Sequence, residues 1–213
     1  ADNDTYPLWY CQEVEDIRRD VRVVVMPYLQ AEWYIQQLQR KMYQNEALKM
    51  TVPLEKYQSG QVDYVYVVPK IETEQSLTDI LEFVASDSSK TKLTVEGQKQ
   101  ISYIPVDKMR LEMAGKEPIH LELKQRAINN GYLAFWDIIA TNKGKRPVCF
   151  TAFVDAEEHG LKDHLIFDGL VFRLTDQKTD SNSVIDMGKI ETENLYKNLM
   201  QKCRSEEHTS ELQ

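Results

Sequence analysis

Apolar residues along this chain alternate between helical and extended spacing. Tyr6, Trp9, Tyr10, Val14 and Ile17 recur at the interval of one helix face, and the run Val21–Met26 then reads as a buried strand stopped by Pro27. A second helix is expected with Ala31, Tyr34, Ile35, Leu38 and Met42 on one face. After a connection holding Pro53 and Gly60, the run Val62–Val68 gives another strand, ended by Pro69. Ser76-Leu77-Thr78-Asp79 has the form of a capping box and opens a short helix through Leu77, Ile80, Leu81 and Val84.

The rhythm changes between Asp87 and Pro118, where polar, β-rich segments around Gly97 (Lys92–Val95 and Gln100–Ile104) predict a hairpin. It returns with Tyr132, Phe135, Trp136 and Ile139 on a helix, followed by strands over Pro147–Val154 and Leu170–Leu174 with Leu161–Phe167 between them. Ser181–Ser183 mark a loop, and Leu195, Tyr196, Leu199 and Met200 a last helix. The alternation predicts an α/β, Rossmann-like fold: a mostly parallel sheet with flanking helices and a small β-hairpin insertion over residues 87–118. The polar turn Asp2-Asn3-Asp4 runs straight into a helix and then a strand, as the middle of a β-α-β unit does, so the expected sheet lacks its first strand and leaves a slot beside Val21–Met26.

A single domain over residues 1–203 is expected. Arg204–Gln213 instead resembles the translation of a sequencing-library adapter, so it is read as a non-native tail that packs on nothing.

With 42% hydrophobic residues the chain can build a sizeable core. Its formal charge is −8 and no Lys/Arg block interrupts it, which sets nucleic acid aside as a main partner. No apolar run approaches the ~18 to 20 residues that a membrane-spanning helix needs, and the mean hydropathy is −0.51. Cys11, Cys149 and Cys203 are odd in number and unevenly spaced, so they read as isolated thiols rather than a disulfide framework or zinc site. No Gly-rich phosphate loop and no serine-hydrolase signature is present.

The opening Asp2–Tyr10, with Gln12-Glu13-Val14-Glu15 and Trp33-Tyr34-Ile35, resembles a family of large multi-pass bacterial inner-membrane proteins. That family is a domain of unknown function with protein O-mannosyltransferase-like glycosyltransferase character. Asp137–Ala140 through Arg146–Phe150, Gly160–Leu174 and Tyr196–Met200 resemble it in the same order. The chain departs from the family pattern at Val25, where an Asn is usual, and at Lys145, where a Trp is common. The resemblance implies the C-terminal, water-exposed part of such a protein, on the periplasmic face of the inner membrane. The partners it implies are the parent's own transmembrane region, a lipid-linked sugar donor and a protein or glycan acceptor.

Candidate site residues follow from the expected topology. Asp2, Asn3 and Asp4 would sit at the carboxyl end of the first strand, where open α/β sheets bind ligands, and two carboxylates beside an amide suit sugar hydroxyls or a divalent cation. The same residues also suit a helix cap, with Asp4 or Thr5 as the cap and Pro7 in the first turn. Asp155–His159 follow a predicted strand, so Asp155 and His159 would share that sheet edge with Asp2 and Asp4, while Arg146 would lie at the opposite edge. His159 and His164 are five apart, not the four that stacks two ligands on one helix face, so a solvated acidic loop is the plainer reading there. Trp9, Tyr10, Trp33, Tyr34, Phe135 and Trp136 are able to stack on sugar rings, but helical spacing marks most of them as core.

The leading expectation is an extramembrane domain of an inner-membrane glycosyltransferase that assists acceptor or substrate binding and is inactive alone. The alternatives are a non-catalytic glycan- or protein-binding module, and a soluble hydrolase using Asp2 and Asp4.

Overall fold

The computed structural model describes residues 2–57, 63–95, 99–113, 116–168, 171–176 and 178. The chain divides into two compact units, Ala1–Arg146 and Pro147–Gln213. The expected loop at Ser181–Ser183, the expected last helix and the stretch Arg204–Gln213 lie outside the described residues.

The first unit opens with α1 (Asp2–Glu13). An extended stretch then leads to a 3₁₀ turn at Met26–Gln30 and to α2 (Glu32–Leu38), which buries Tyr34, Ile35 and Leu38. Then come β1 (Tyr64–Val67), β2 (Gln75–Ser76) and α3 (Leu77–Ala85). The helix α3 buries the expected face, Leu77, Ile80, Leu81 and Val84, although the Ser76 side chain makes no capping bond. Next are β3 (Lys92–Val95), β4 (Lys99–Ile104), β5 (Lys108–Met113), β6 (Lys116–Glu122) and β7 (Ala127–Asn129). The unit closes with α4 (Asn130–Asn142), capped by the Asn129 side chain, which accepts from the Tyr132 N–H.

The α4 helix forms the centre of the core: Leu133, Ala134, Trp136 and Ile139 are buried, and it packs on α3, β7 and the Met26–Gln30 turn. That last contact is close. A Cβ at Gly131 would come within 2.8 Å of the Gln30 side chain, so the first turn of α4 needs a glycine there.

The sheets overturn the Rossmann-like expectation. One has the order β3-β4-β1-β7, another β2-β5-β6. Only β1/β4 and β2/β5 pair in parallel; β3/β4, β1/β7 and β5/β6 are antiparallel. The predicted hairpin forms, Lys92 opposite Ser102 and Val95 opposite Lys99, and its second strand joins the sheet of β1. The strands are also short, and β1 alternates exposed and buried positions, unlike the doubly buried strands of a parallel sheet.

The expected strand at Val21–Met26 is absent, and with it the ladder that would flank the proposed slot. The Val21 carbonyl accepts from the Gln12 and Asn45 side-chain amides, at 2.8 and 3.0 Å, and the Val25 N–H donates to the Tyr34 hydroxyl at 2.7 Å. Side chains thus supply the partners that a neighbouring strand would supply, and Pro27 turns the chain into the 3₁₀ segment. The β-branched run is extended but belongs to no sheet.

The second unit holds β8 (Cys149–Phe150), α5 (Phe153–Glu158), a 3₁₀ turn at Lys162–His164, β9 (Leu165–Asp168) and β10 (Val171–Leu174). Its sheet, β8-β10-β9, is wholly antiparallel. The strand expected over Pro147–Val154 stops after two residues, because Ala156, Glu157 and Glu158 are strong helix formers and draw the chain into α5. Among the described pairings two of seven are parallel, so the fold is mixed and mostly antiparallel rather than doubly wound.

Candidate functional site

Asp2, Asn3 and Asp4 form the first turn of α1, so Asp4, Thr5 and Pro7 lie inside the helix rather than at a cap before it. Asp4 is half-buried and Thr5 is buried. The side chains at positions 2, 3 and 155 fall outside the described part of the molecule. Asp155 is on α5 and His159 caps its end, with Gly160 at φ 73°. The Gly160 N–H bonds to the Glu157 carbonyl (3.0 Å) and the Leu161 N–H to that of Ala156 (2.9 Å), a Schellman closure in which glycine takes the left-handed position. His159 is buried at this closure.

Asp2–Asp4 belong to the first unit and Asp155–His159 to the second. The single parallel sheet edge that was to gather them is not formed among the described residues, whose sheets are mixed and mostly antiparallel. Among the described residues no three His, Cys, Asp or Glu side chains gather as a cation site.

What the structure does form is a pocket of about 240 Å³ in the first unit, beside α1. Trp9, Gln12 and Glu13 of α1 line it, together with Val21, Arg22 and Val23. Tyr34, Gln37 and Leu38 of α2 and the loop bearing Met42, Tyr43 and Asn45 complete it. The α1 face turned inward is Thr5, Trp9 and Gln12, whereas Tyr6, Tyr10, Val14 and Ile17 of the predicted apolar stripe are exposed. Of the aromatics expected in the core, Tyr34, Phe135 and Trp136 are buried; Tyr10 and Trp33 are exposed, and Trp9 is half-buried on the pocket wall.

Two buried amides hold the pocket's frame. Gln12 donates to the carbonyls of Arg18 (2.9 Å) and Val21, and Asn45 donates to those of Arg19 (2.7 Å) and Val21. The Tyr43 hydroxyl donates to Glu13, which pushes the phenol pKa up, and Arg19 lies 4.4 Å over the Tyr43 ring. Tyr43 has φ 53°, Asp16 φ 56° and Arg18 φ 52°, and these are the non-glycine residues with positive φ among the described residues. A bulky residue held in that region stores strain, which collects at ligand clamps.

Burial pulls the pKa of Arg22 below its usual value; Tyr34 acts against this and the charge of Arg146 adds to it. The guanidinium keeps its charge regardless. Arg146, expected at the edge away from the site, donates to the Glu46 carbonyl at 3.0 Å.

Aromatic walls, amides and a guanidinium suit a polar ligand with a flat face. Glu13 is the sole carboxylate among the lining residues, and it accepts the Tyr43 hydroxyl; a lining of this kind suits binding. Helical spacing had marked Trp9 and Tyr34, but the pocket depends on the loops at 14–23 and 39–45, which carry no motif.

A family model described as TMEM260-associated domain 2 matches residues 1–117 and 112–194. No curated protein and no solved structure gives a significant match.

Proposed function

From the premise that this chain belongs to the TMEM260-associated domain 2 family, and is therefore a domain associated with a membrane protein, we propose that it is the extramembrane, ligand-holding part of a membrane-embedded glycosyltransferase. In this reading the parent takes its sugar from a lipid-linked donor. The domain lies at the periplasmic face of the inner membrane, beside the parent's own transmembrane region, and holds the protein or glycan acceptor.

The observation that carries the binding role is the aromatic- and amide-lined pocket on α1. None of the described helices is long and apolar enough to cross a membrane. Asp2, Asn3 and Asp4 stand on the same helix as Trp9, Gln12 and Glu13, so they are proposed as an extension of the acceptor surface, with a divalent cation at Asp2 and Asp4 if one is used. Asp155 and His159 are proposed as a separate contact on the second unit.

A second reading, a glycan- or protein-binding module with no part in transfer, rests on the same aromatic and amide lining, which suits binding by itself. Trp9→Ala in the full-length parent separates the two. The acceptor-assisting role predicts a raised KM for acceptor with kcat little changed. Unaltered transfer, with glycan binding by the chain lost, leaves the binding module; unaltered transfer and unaltered binding overturn both. Asp2→Asn and Asp4→Asn are expected to weaken acceptor use in the same assay, and unchanged acceptor use removes them from the site.

A further inference from the structure

We propose that Arg22 anchors an anion subsite, so that the pocket receives a carboxylate or phosphate carried on a ring-sized body. This deepens the binding role above and rests on it. Charges pair along one loop. Arg18 pairs with Asp20 through two bonds of 2.8 and 2.9 Å, and Arg19 pairs with Asp16 at 2.5 Å. Lys41, across the loop, pairs with Glu46 at 2.9 Å. Arg22 meets no carboxylate among the described residues.

Its Nη2 donates to the Gln37 carbonyl at 2.7 Å, while Nη1 is enclosed and meets no acceptor. Glu13 lines the same pocket, but it accepts the Tyr43 hydroxyl instead. Arg146 adds positive charge nearby. A chain of formal charge −8 thus leaves a pocket-lining guanidinium without a carboxylate bonded to it among the described residues.

The Arg22 side chain as a whole is half-buried and lines the pocket, so an arriving oxyanion meets it from the pocket side, and guanidinium is the side chain best shaped for carboxylate or phosphate. Trp9 and Tyr43 offer flat faces beside it. The volume of about 240 Å³ falls short of the roughly 300–1,000 Å³ typical of whole-ligand sites, so a single ring-sized group fits, not an oligomer.

The test is calorimetric titration of the full chain, at low salt, with glucuronate, glucose and inorganic phosphate. Glucuronate is expected to bind at least about tenfold more tightly than glucose, with phosphate competing. Arg22→Gln should erase that preference, and Arg22→Lys should keep part of it, since charge persists without the fork. If Arg22→Gln does not fold, titration of the unaltered chain at rising salt serves: added salt should weaken glucuronate and leave glucose unchanged.

Equal binding of glucose and glucuronate, or a preference that neither Arg22→Gln nor added salt diminishes, overturns the anion subsite even if Trp9→Ala abolishes sugar binding. Retained glucuronate preference in a chain whose parent shows no change in transfer upholds the subsite while removing the acceptor role.

Discussion

Two irregular segments of the first unit, residues 49–52 and residues 18–22, both lack a strand to pair with, and the molecule ties them down in opposite ways. The first presents its N–H groups to α4. Asp137 accepts from Thr51 (2.8 and 3.0 Å) and Val52 (2.8 Å), and Asn142 exchanges bonds with both backbone groups of Lys49. The second presents its carbonyls to the neutral amides of Gln12 and Asn45.

Asp137 is fully buried, and burial raises its pKa to about 6 against the pull of the Thr51 and Val52 N–H groups. A sealed carboxylate serves only the fold. At the second segment the amides fix the backbone while the Arg22 guanidinium stays half-buried at an open pocket, and neighbouring residues accept positive φ. The contrast shows how one unit divides its buried polar groups: charge spent inward fastens the core, and neutral donors leave charge facing a ligand.

Asp137→Ala should break this contrast hardest. It strands the N–H groups of Thr51 and Val52 in the core, at a cost of about 3 kcal/mol, read from denaturant midpoints. Unchanged stability would mean that the 49–52 segment finds other acceptors.

The pH dependence sharpens the same point. Because the folded pKa, about 6, lies above the unfolded value of 3.8, the native state binds the proton more tightly. This contribution is therefore full below the unfolded pKa and is lost as pH rises through the folded one, by about 3 kcal/mol in all. Asp137→Asn should lose about 1–2 kcal/mol under acid conditions and flatten the decline between pH 4 and 6, as unfolding free energies at matched pH would show. A mutant slope equal to that of the parent would place the titration elsewhere.

At the other segment the expected effects are smaller and coupled. Gln12→Ala and Asn45→Ala should each cost about 1–2 kcal/mol. Since both donate to the Val21 carbonyl, the double mutant should depart from additivity by about 0.5 kcal/mol or more. Strict additivity in a double-mutant cycle would deny the shared clamp. Smallest is Tyr10→Ser, on the exposed side of α1, which should leave the thermal midpoint within the change expected of about 0.5 kcal/mol; a large drop would show that this ring is covered.

Legibility followed the range of the interaction. The buried faces of α3 and α4 and the β3/β4 hairpin follow from residues a few positions apart, so periodicity and turn signals in the sequence placed Leu77, Ile80, Leu81, Val84, Trp136 and Ile139 where the structure has them. The predicted stripe at the start of the chain shows the limit of that logic: Tyr6 and Tyr10 of α1, and Val14 and Ile17 beyond its end, hold helical spacing yet are exposed. Whether β4 and β7 flank β1, in parallel and antiparallel sense, depends on partners about 40 to 60 residues away, and no local pattern carries that choice. For Val21–Met26 the β-branched composition determined an extended backbone, but only tertiary structure decided that Gln12, Asn45 and Tyr34, rather than a strand, would satisfy it. The pocket was hidden for the same reason: it arises where α1, α2 and two loops converge, and convergence is a property of the folded chain.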